Sequence, residues 1–251
     1  FVLGGFLGEH LGWRASFLAV GLPGVLAAGL ALLMKDPVRG AFDPPAPSEI
    51  SWGQALRALK GNPLFLYTVA GYTAVSFATG GIADWFPTFL SRARGMPLQT
   101  ADVAIGLAAV LGGILGTAWG GAAADRLEGK TRLPYLALSG LSMVPATALC
   151  VLALFVFRTP AVIVGAVVAT QLFLWAYNAP VNALIVNSVG PELRARAVGL
   201  SILSIHLLGD VLSPPLIGQL SDRTGDLEAA LMVVPVALGV GEAIWLWGWR
   251  T

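Results

Sequence analysis

The sequence has little charge and almost no cysteine. Only 12% of its 251 residues are charged, whereas soluble domains carry about 25%, so a soluble globular enzyme is excluded. The single cysteine, Cys150, lies inside an apolar run, which excludes a disulfide framework and every multi-cysteine zinc or iron–sulfur site. A net charge of +1 with scattered Lys and Arg offers no basic surface for nucleic acid. A membrane is the remaining solvent.

The common catalytic motifs are absent as well. The sequence contains no G-x-x-x-x-G-K-[ST] loop for ATP phosphates, no H-E-x-x-H or other paired-histidine metal spacing, and no G-x-S-x-G nucleophile elbow. We therefore expect no enzyme, no metal and no cofactor. Two other classes stay open as alternatives, a non-transporting receptor and an intramembrane lipid enzyme, and the enzyme would need a nucleophile beside His206 and Asp210.

Long apolar runs are abundant and predict an all-α polytopic membrane protein. A membrane-spanning helix needs about 20 mostly apolar residues. Seven segments are long enough, namely 15–34, 61–83, 103–124, 133–157, 159–191, 197–220 and 229–249. Residues 1–8 resemble the end of a further span that begins upstream, and no signal-peptide pattern precedes them. The sequence thus predicts seven full transmembrane helices and one partial helix.

Lys and Arg are distributed unequally between alternate loops, which predicts the orientation of the chain. If loop 35–62 is cytoplasmic, that side carries Lys35, Arg39, Arg57, Lys60, Arg126, Lys130, Arg132, Arg194, Arg196 and Arg250. The opposite side then carries only Arg14, Arg92, Arg94, Arg158 and Arg223. This two-to-one excess places loop 35–62 in the cytoplasm.

Loop 35–62 contains an amphipathic segment after the prolines of residues 44–47. Ser51 and Gln54 have the spacing of a capping box. Apolar residues then recur at helical spacing, at Trp52, Ala55, Leu56 and Leu59. We interpret the segment as an interfacial helix on the cytoplasmic leaflet. A regulatory or partner-binding helix is the alternative.

The pattern G-x-x-x-D-R closes two helices that lie three spans apart and therefore on opposite membrane faces. Its residues are Gly121, Asp125 and Arg126, followed by Lys130 and Arg132, and in the second copy Gly218, Asp222 and Arg223. A weaker copy covers residues 5–9. Gly permits close helix approach, and Asp can cap a neighbouring helix or pair with a loop Arg. We interpret these residues as a gating motif, with simple helix-end capping as the alternative.

Several stretches resemble a known family. Residues 121–132 resemble the signature loop of the major facilitator superfamily, and residues 4–17 resemble the junction between the fifth and sixth helices of that superfamily. The stretch SILSIHLLGDVLSPPLIGQLSD, residues 201–222, is similar to the eleventh helix of the Spinster family, and residues 71–94 are similar to its seventh. The chain is thus identified as a Spinster-like major facilitator.

This resemblance implies a major facilitator helical bundle, a carrier of twelve helices in two halves that works by alternating access. Residues 1–34 would end the N-terminal bundle with a partial fifth helix and the sixth. Residues 35–62 would form the cytoplasmic linker, and residues 63–251 the C-terminal six-helix bundle. The expected location is a bacterial inner (plasma) membrane.

Eukaryotic Spinster members move lysophospholipids or sphingosine phosphate, whereas prokaryotic members are more varied. The resemblance therefore implies secondary transport of a lipid-like or organic amphiphile, driven by protons or by the substrate gradient. A small polar solute such as a sugar or an organic acid is the alternative substrate. The expected partners are membrane lipids, the substrate, protons and the missing N-terminal helices.

Ionisable side chains inside a span cost at least about 2.5 kcal/mol each, so they normally face a cavity or a partner. His206 and Asp210 are four residues apart and share a helical face, which Ser213 continues. Because histidine titrates near physiological pH, we interpret the pair as a protonation switch or a contact to the substrate headgroup. A structural pair that fixes the helix against its neighbours is the alternative.

Two spans carry polar stripes at helical spacing, Gln171, Trp175, Asn178 and Asn182 in one and Thr68, Tyr72, Ser76 and Thr79 in the other. Amides and hydroxyls in lipid need partners, so the stripes are expected to line a cavity or to form interhelical hydrogen bonds. Asp84 is expected to form a rim salt bridge with Arg92 or Arg94, with a contact to the substrate as the alternative. Trp245, Trp247 and Trp249 are expected to form an interfacial belt.

Overall fold

The structure is a computed structural model that describes residues 12–34 and 50–251. These residues fall into two units, divided between residues 48 and 49. The first unit contains one described helix, α1 (Trp13–Ala31), which covers most of the predicted span 15–34. The predicted partial span 1–8, the weak motif copy 5–9 and the prolines of residues 44–47 lie outside the described residues.

The second unit consists of one short helix followed by six long ones, and its described residues contain no strand. In chain order these helices are α2 (Trp52–Lys60), α3 (Pro63–Arg94), α4 (Leu98–Arg126), α5 (Pro134–Val156), α6 (Pro160–Asn187), α7 (Pro191–Thr224) and α8 (Leu227–Arg250). Helix α2 begins at the predicted capping box, in which Ser51 and Gln54 bond each other's backbone N–H groups.

Five of the helices, α4 to α8, are long and apolar enough to cross a membrane by length and composition. Helix α3 has 32 residues, well above the roughly 20 that a span requires. Helices α1 and α3 occupy the positions of the other two predicted spans. The predicted all-α polytopic bundle is therefore confirmed for the described part of the chain.

Local sequence signals explain where these helices begin and end. Proline has a fixed φ and no N–H to lose, which suits the first turn of a helix, and it opens α3, α5, α6 and α7. The Asn62 side chain also accepts a hydrogen bond from the Phe65 N–H at the start of α3. Gly95 ends α3 and Gly225 ends α7, both with the left-handed φ that favours glycine.

Three of the spans contain a π-helical turn, at Gly112–Gly116 in α4, Leu152–Val156 in α5 and His206–Asp210 in α7. A π turn closes its hydrogen bonds one residue later than an α-helix, as when the Val211 N–H donates to the His206 carbonyl. In α7 the α-helix resumes at Ser213 after the π turn, with Pro214 and Pro215 in its first turn.

Helix α8 packs closely on α3 and α5 because glycines at the contacts leave room for large side chains. A Cβ on Gly71 would overlap the indole of Trp245, and one on Gly140 would overlap Leu246. Trp245 is fully buried and its Nε1 donates to the Thr68 carbonyl at 3.2 Å. The predicted interfacial belt is therefore wrong for Trp245, which is a core residue, while Trp247 is exposed.

Candidate substrate and gating sites

The predicted pair in α7 is formed. His206 Nδ1 lies 2.8 Å from Asp210 Oδ2, and the side chains are 59% and 36% exposed. Both residues lie in the π turn. The extra residue in this turn rotates the positions that follow it around the helix axis. Asp210 Oδ1 is buried and has no hydrogen-bond partner among the described residues. One carboxylate oxygen thus binds the imidazole, and the other is buried without a partner among the described residues.

Ser213 shares only part of the predicted face. It is fully buried, and a Cβ on Gly80 of α3 would lie 2.6 Å from Ser213 Oγ and 2.8 Å from Asp210 Cα. Ser213 and Asp210 therefore both pack against Gly80, whereas the His206 ring is exposed. Ser213 therefore shares a helix contact with Asp210 but is not exposed beside His206.

Polar groups from three helices converge on this pair. Tyr72 of α3 lies within interaction range of the Asn182 side chain of α6 and of Asp210 of α7. Asn182 Nδ2 in turn donates to the Asn178 carbonyl at 2.8 Å and to Asn178 Oδ1 at 3.2 Å. We call Tyr72, Asn178, Asn182, His206 and Asp210 the polar cluster. The structure thus brings together one residue of the α3 stripe, two of the α6 stripe and the α7 pair.

The rest of the α3 stripe lies in helix contacts. Thr68 is fully buried and its hydroxyl donates to the Leu64 carbonyl of its own helix. Thr79 similarly donates to the Ser76 carbonyl, and Ser76 packs against Gly209 of α7. The hydroxyls of Thr68 and Thr79 thus bond within their own helix, and Ser76 lies at the contact with α7.

The α6 stripe is divided by a 3₁₀ turn at Trp175–Tyr177. Gln171, which precedes the turn, and Trp175, its first residue, pack against α4. A Cβ on Gly112 would overlap Gln171, and a Cβ on Gly116 would overlap Trp175. Gln171 Oε1 and Trp175 Nε1 are buried without a hydrogen-bond partner in the described residues. Only Asn178 and Asn182, which follow the turn, belong to the polar cluster.

The first copy of the gating motif joins α4 to the start of α5. Asp125 Oδ1 accepts a hydrogen bond from the Tyr135 hydroxyl at 3.0 Å, and the Arg132 guanidinium donates to the Thr251 carbonyl at 3.3 Å. Arg126 and Lys130 are exposed. The predicted close approach is made by Gly120, where a Cβ would overlap the Ala176 backbone, whereas a Cβ on Gly121 would have ordinary contact distance.

The second copy of the motif lies where α7 packs on α3. A Cβ on Gly218 would lie 3.1 Å from the Trp85 ring, and Trp85 Nε1 donates to the Pro214 carbonyl at 3.0 Å. Asp222 and Arg223 are exposed. In both copies the glycines lie at a helix contact and the charged residues lie at its end.

An ion-pair network that the sequence did not suggest joins three helix ends. Arg94 donates to Glu228 Oε2 at 3.1 Å and to the Leu154 carbonyl at 2.7 Å, and its guanidinium lies 4.6 Å from the Phe89 ring centroid. Arg158 contacts the same carboxylate at 3.4 Å. Arg94 and Glu228 are 134 residues apart, so no local pattern links them.

The expected salt bridge of Asp84 with Arg92 or Arg94 is wrong. Helix α3 continues to Arg94, so eight and ten residues at about 1.5 Å each place these arginines about 12 Å and about 15 Å from Asp84 along the axis. The prediction assumed that the span ended near Ala83. Glu228 takes the place of Asp84 as the partner of Arg94.

Long apolar helices with buried polar contacts between them define the class of this protein, an integral membrane protein built as a polytopic helical bundle. The profile of the Major Facilitator Superfamily matches residues 1–214. Since this match covers most of the chain, the chain belongs to the Major Facilitator Superfamily.

The chain is also similar to Spinster proteins, which confirms the expected resemblance. It is 35% identical to "Protein spinster homolog 1" of Homo sapiens over 81% of the chain and 42% of that protein. It is 26% identical to "Probable sphingolipid transporter spinster homolog 1" of Arabidopsis thaliana over 98% of the chain and 55% of that protein. The chain thus spans about half the length of these relatives.

A solved structure supports the fold. The crystal structure of a bacterial homologue of the human lysosomal transporter Spinster, inward-facing and unoccupied, matches 95% of this chain and 58% of its own with a TM-score of 0.60. The sequence identity in this comparison is 20%, so the match concerns the fold alone.

Proposed function

We propose that the chain forms part of a secondary transporter that moves a lipid-like or organic amphiphile by alternating access. The observation that carries the proposal is the convergence of α3, α6 and α7 on the polar cluster, whose His206–Asp210 pair lies within a long apolar helix. Polar groups at membrane depth normally face a substrate or ion pathway. The printed name of the Arabidopsis relative, a probable sphingolipid transporter, supports a lipid-like substrate.

The polar cluster would bind the headgroup of this substrate. Asp210 presents one carboxylate oxygen to His206 and keeps the other without a partner in the described residues. The neighbouring tyrosine and amides can donate or accept hydrogen bonds. Apolar side chains such as Phe77 and Trp175, which are half-buried, would contact the hydrocarbon tail.

Proton coupling through His206 and Asp210 is a further part of the proposal. A protonated imidazole pairs with the carboxylate as an ion pair, and loss of the proton leaves a hydrogen bond between a neutral imidazole and the carboxylate. The exposed fraction of His206 gives protons access to the ring. A proton held here would therefore stabilise one arrangement of α7 relative to α3.

The two motif copies would act at opposite ends of the bundle during alternating access. Each places glycines at a helix contact and charged residues beyond it, so the contact can open while the charges meet new partners. We further propose a bacterial inner membrane, with loop 35–62 and the Asp125 copy on the cytoplasmic side and the Asp222 copy outside. Membrane lipids, protons and the preceding helices of a longer protein are the proposed partners.

Counterflow of labelled lysophospholipid into proteoliposomes tests the substrate class with the full-length carrier. Asp210→Asn is expected to reduce uptake, because it removes the carboxylate that is proposed to bind the substrate headgroup. Asp102→Asn, which removes a carboxylate from α4 outside the polar cluster, is the matched control and is expected to retain uptake. Transport of a sugar or an organic acid without lysophospholipid uptake would overturn the amphiphile proposal.

Uptake driven by an imposed pH gradient tests the coupling separately. His206→Ala is expected to retain counterflow and to lose the dependence of uptake on the gradient. Full pH-dependent coupling in this variant would refute the proton switch while leaving the proposed substrate class intact.

A further inference from the structure

An apolar groove runs between the short helix α2 and two long helices. Its volume is about 420 Å³, within the range of about 300–1,000 Å³ that is usual for small-molecule sites. Helix α2 contributes Leu56, Leu59 and Lys60, helix α3 contributes Phe65, Leu66, Val69, Ala70 and Thr73, and helix α7 contributes Leu200, Ser204 and Leu208. The groove is separate from the polar cluster, with which it shares no residue.

The few polar residues along the groove are satisfied by their own helices. The Thr73 hydroxyl donates to the Val69 carbonyl at 2.8 Å, and the Ser204 hydroxyl donates to the Leu200 carbonyl at 2.9 Å. Because both hydroxyls are already bonded, these residues present mainly their carbon atoms to a ligand in the groove. Lys60 is exposed and is the charged residue among those that line the groove.

Helix α2 is held firmly enough to form one wall. Ala55 and Leu59 are 0% and 2% exposed, and the capping box fixes the first turn. The Arg196 guanidinium of α7 lies 5.2 Å from the Trp52 ring centroid. Beyond the last turn, Asn62 Nδ2 donates to the Ser188 carbonyl at 2.7 Å. These contacts set the position of Lys60 relative to α3 and α7.

The groove has the length and the charge of a lipid site. From Leu200 to Leu208 the lining of α7 rises about 12 Å at 1.5 Å per residue, close to the roughly 15 Å thickness of one hydrocarbon leaflet. Lys60 lies at the α2 end, where an interfacial helix meets the headgroups. Basic pockets between transmembrane helices bind anionic lipid headgroups.

We propose that this groove binds one acyl chain of an anionic phospholipid from the leaflet in which α2 lies, with the lipid phosphate on Lys60. The lipid is a resident molecule that joins α2 to α3 and α7, not the transported substrate. The proposal therefore requires that the helices span a membrane, but it does not depend on the transport function. Preceding helices of a longer protein are the competing occupant of the groove.

Lipid binding to the full-length protein in nanodiscs tests whether the charge of Lys60 holds an anionic headgroup. Phosphatidylglycerol binding, measured by native mass spectrometry after controlled release, is expected to weaken about fivefold in Lys60→Gln, from about 1 kcal/mol per cation near an anionic headgroup. Lys130→Gln is the matched control, since it removes an exposed lysine away from the groove. Equal binding of phosphatidylglycerol and phosphatidylcholine, or equal effects of the two variants, would overturn the proposal.

Access to the groove tests its occupant. In a Cys150→Ala background, a lipid-tethered maleimide is expected to label Ser204→Cys as readily as Val144→Cys, which replaces an exposed valine of α5. Excess phosphatidylglycerol is expected to slow labelling at residue 204 alone. Labelling of residue 144 without labelling of residue 204 would show that preceding helices cover the groove and would refute the lipid site. Neither measurement uses transport. A negative result in either would therefore refute the lipid site without bearing on the proposed transport function.

Discussion

Two arginines share one carboxylate but differ in burial, which makes their contributions to stability separable. The Arg94 side chain is 6% exposed and the Arg158 side chain is 65% exposed, and both contact Glu228. Arg94→Gln breaks a buried ion pair and leaves the Leu154 carbonyl without its donor. Breaking a buried pair costs about 3–5 kcal/mol. We expect about 3 kcal/mol, because Glu228 is 25% exposed and keeps Arg158.

Arg158→Gln is the matched control. Exposed ion pairs contribute about 0–1 kcal/mol, so the free energy of unfolding is expected to fall by less than about 1 kcal/mol. Arg94→Lys is expected to be intermediate, since one ammonium group cannot reproduce the guanidinium fork that reaches both the carboxylate and the carbonyl.

Reversible unfolding in mixed dodecyl maltoside and sodium dodecyl sulfate micelles measures these differences, with helicity followed by circular dichroism. High salt is expected to reduce the small loss of unfolding free energy in Arg158→Gln. It is expected to leave most of the loss in Arg94→Gln, because buried pairs are screened less. Equal losses in Arg94→Gln and Arg158→Gln would refute the argument from burial.

Three further predictions follow from particular contacts. Gly120→Ala is expected to destabilise the α4–α6 contact by about 1–3 kcal/mol because its Cβ would overlap the Ala176 backbone, whereas Gly121→Ala should be neutral or stabilising; a similar loss in both variants, measured by the same unfolding assay, would contradict this. Ser51→Ala is expected to weaken the start of α2 by about 1 kcal/mol, seen as faster amide hydrogen exchange within α2; unchanged exchange would mean that the capping box does not hold the helix. Tyr72→Phe is expected to lower counterflow with unchanged stability, because it removes a hydroxyl within interaction range of Asn182 and Asp210; full activity would exclude the hydroxyl from the substrate path.

The signals that could be recognised in the sequence were all local. Ser51 and Gln54 are three residues apart, and the capping box between them forms as predicted. His206 and Asp210 are four residues apart and make the expected contact. The convergence of Tyr72, Asn182 and Asp210 was not predictable, because these residues lie on three helices and meet only when the helices pack.

The π turn in α7 accounts for one of the differences in detail. Helical periodicity assumes about 3.6 residues per turn, so one extra residue in a turn rotates every position that follows. For this reason Ser213 is buried against Gly80 although simple periodicity placed it with His206. The packing of α6 against α4, which periodicity does not give, decided that Gly120 rather than Gly121 makes the close contact with α6.

The sequence by itself determined that this protein is an all-α polytopic membrane protein. A bilayer imposes a fixed span length and excludes most charge, so long uncharged runs can be counted directly. Only the tertiary structure decided which polar groups meet, that Arg94 pairs with Glu228, and that α2 closes a groove beside Lys60. These contacts join residues far apart in the chain, and their geometry depends on the rotation and register of packed helices, which no single segment encodes.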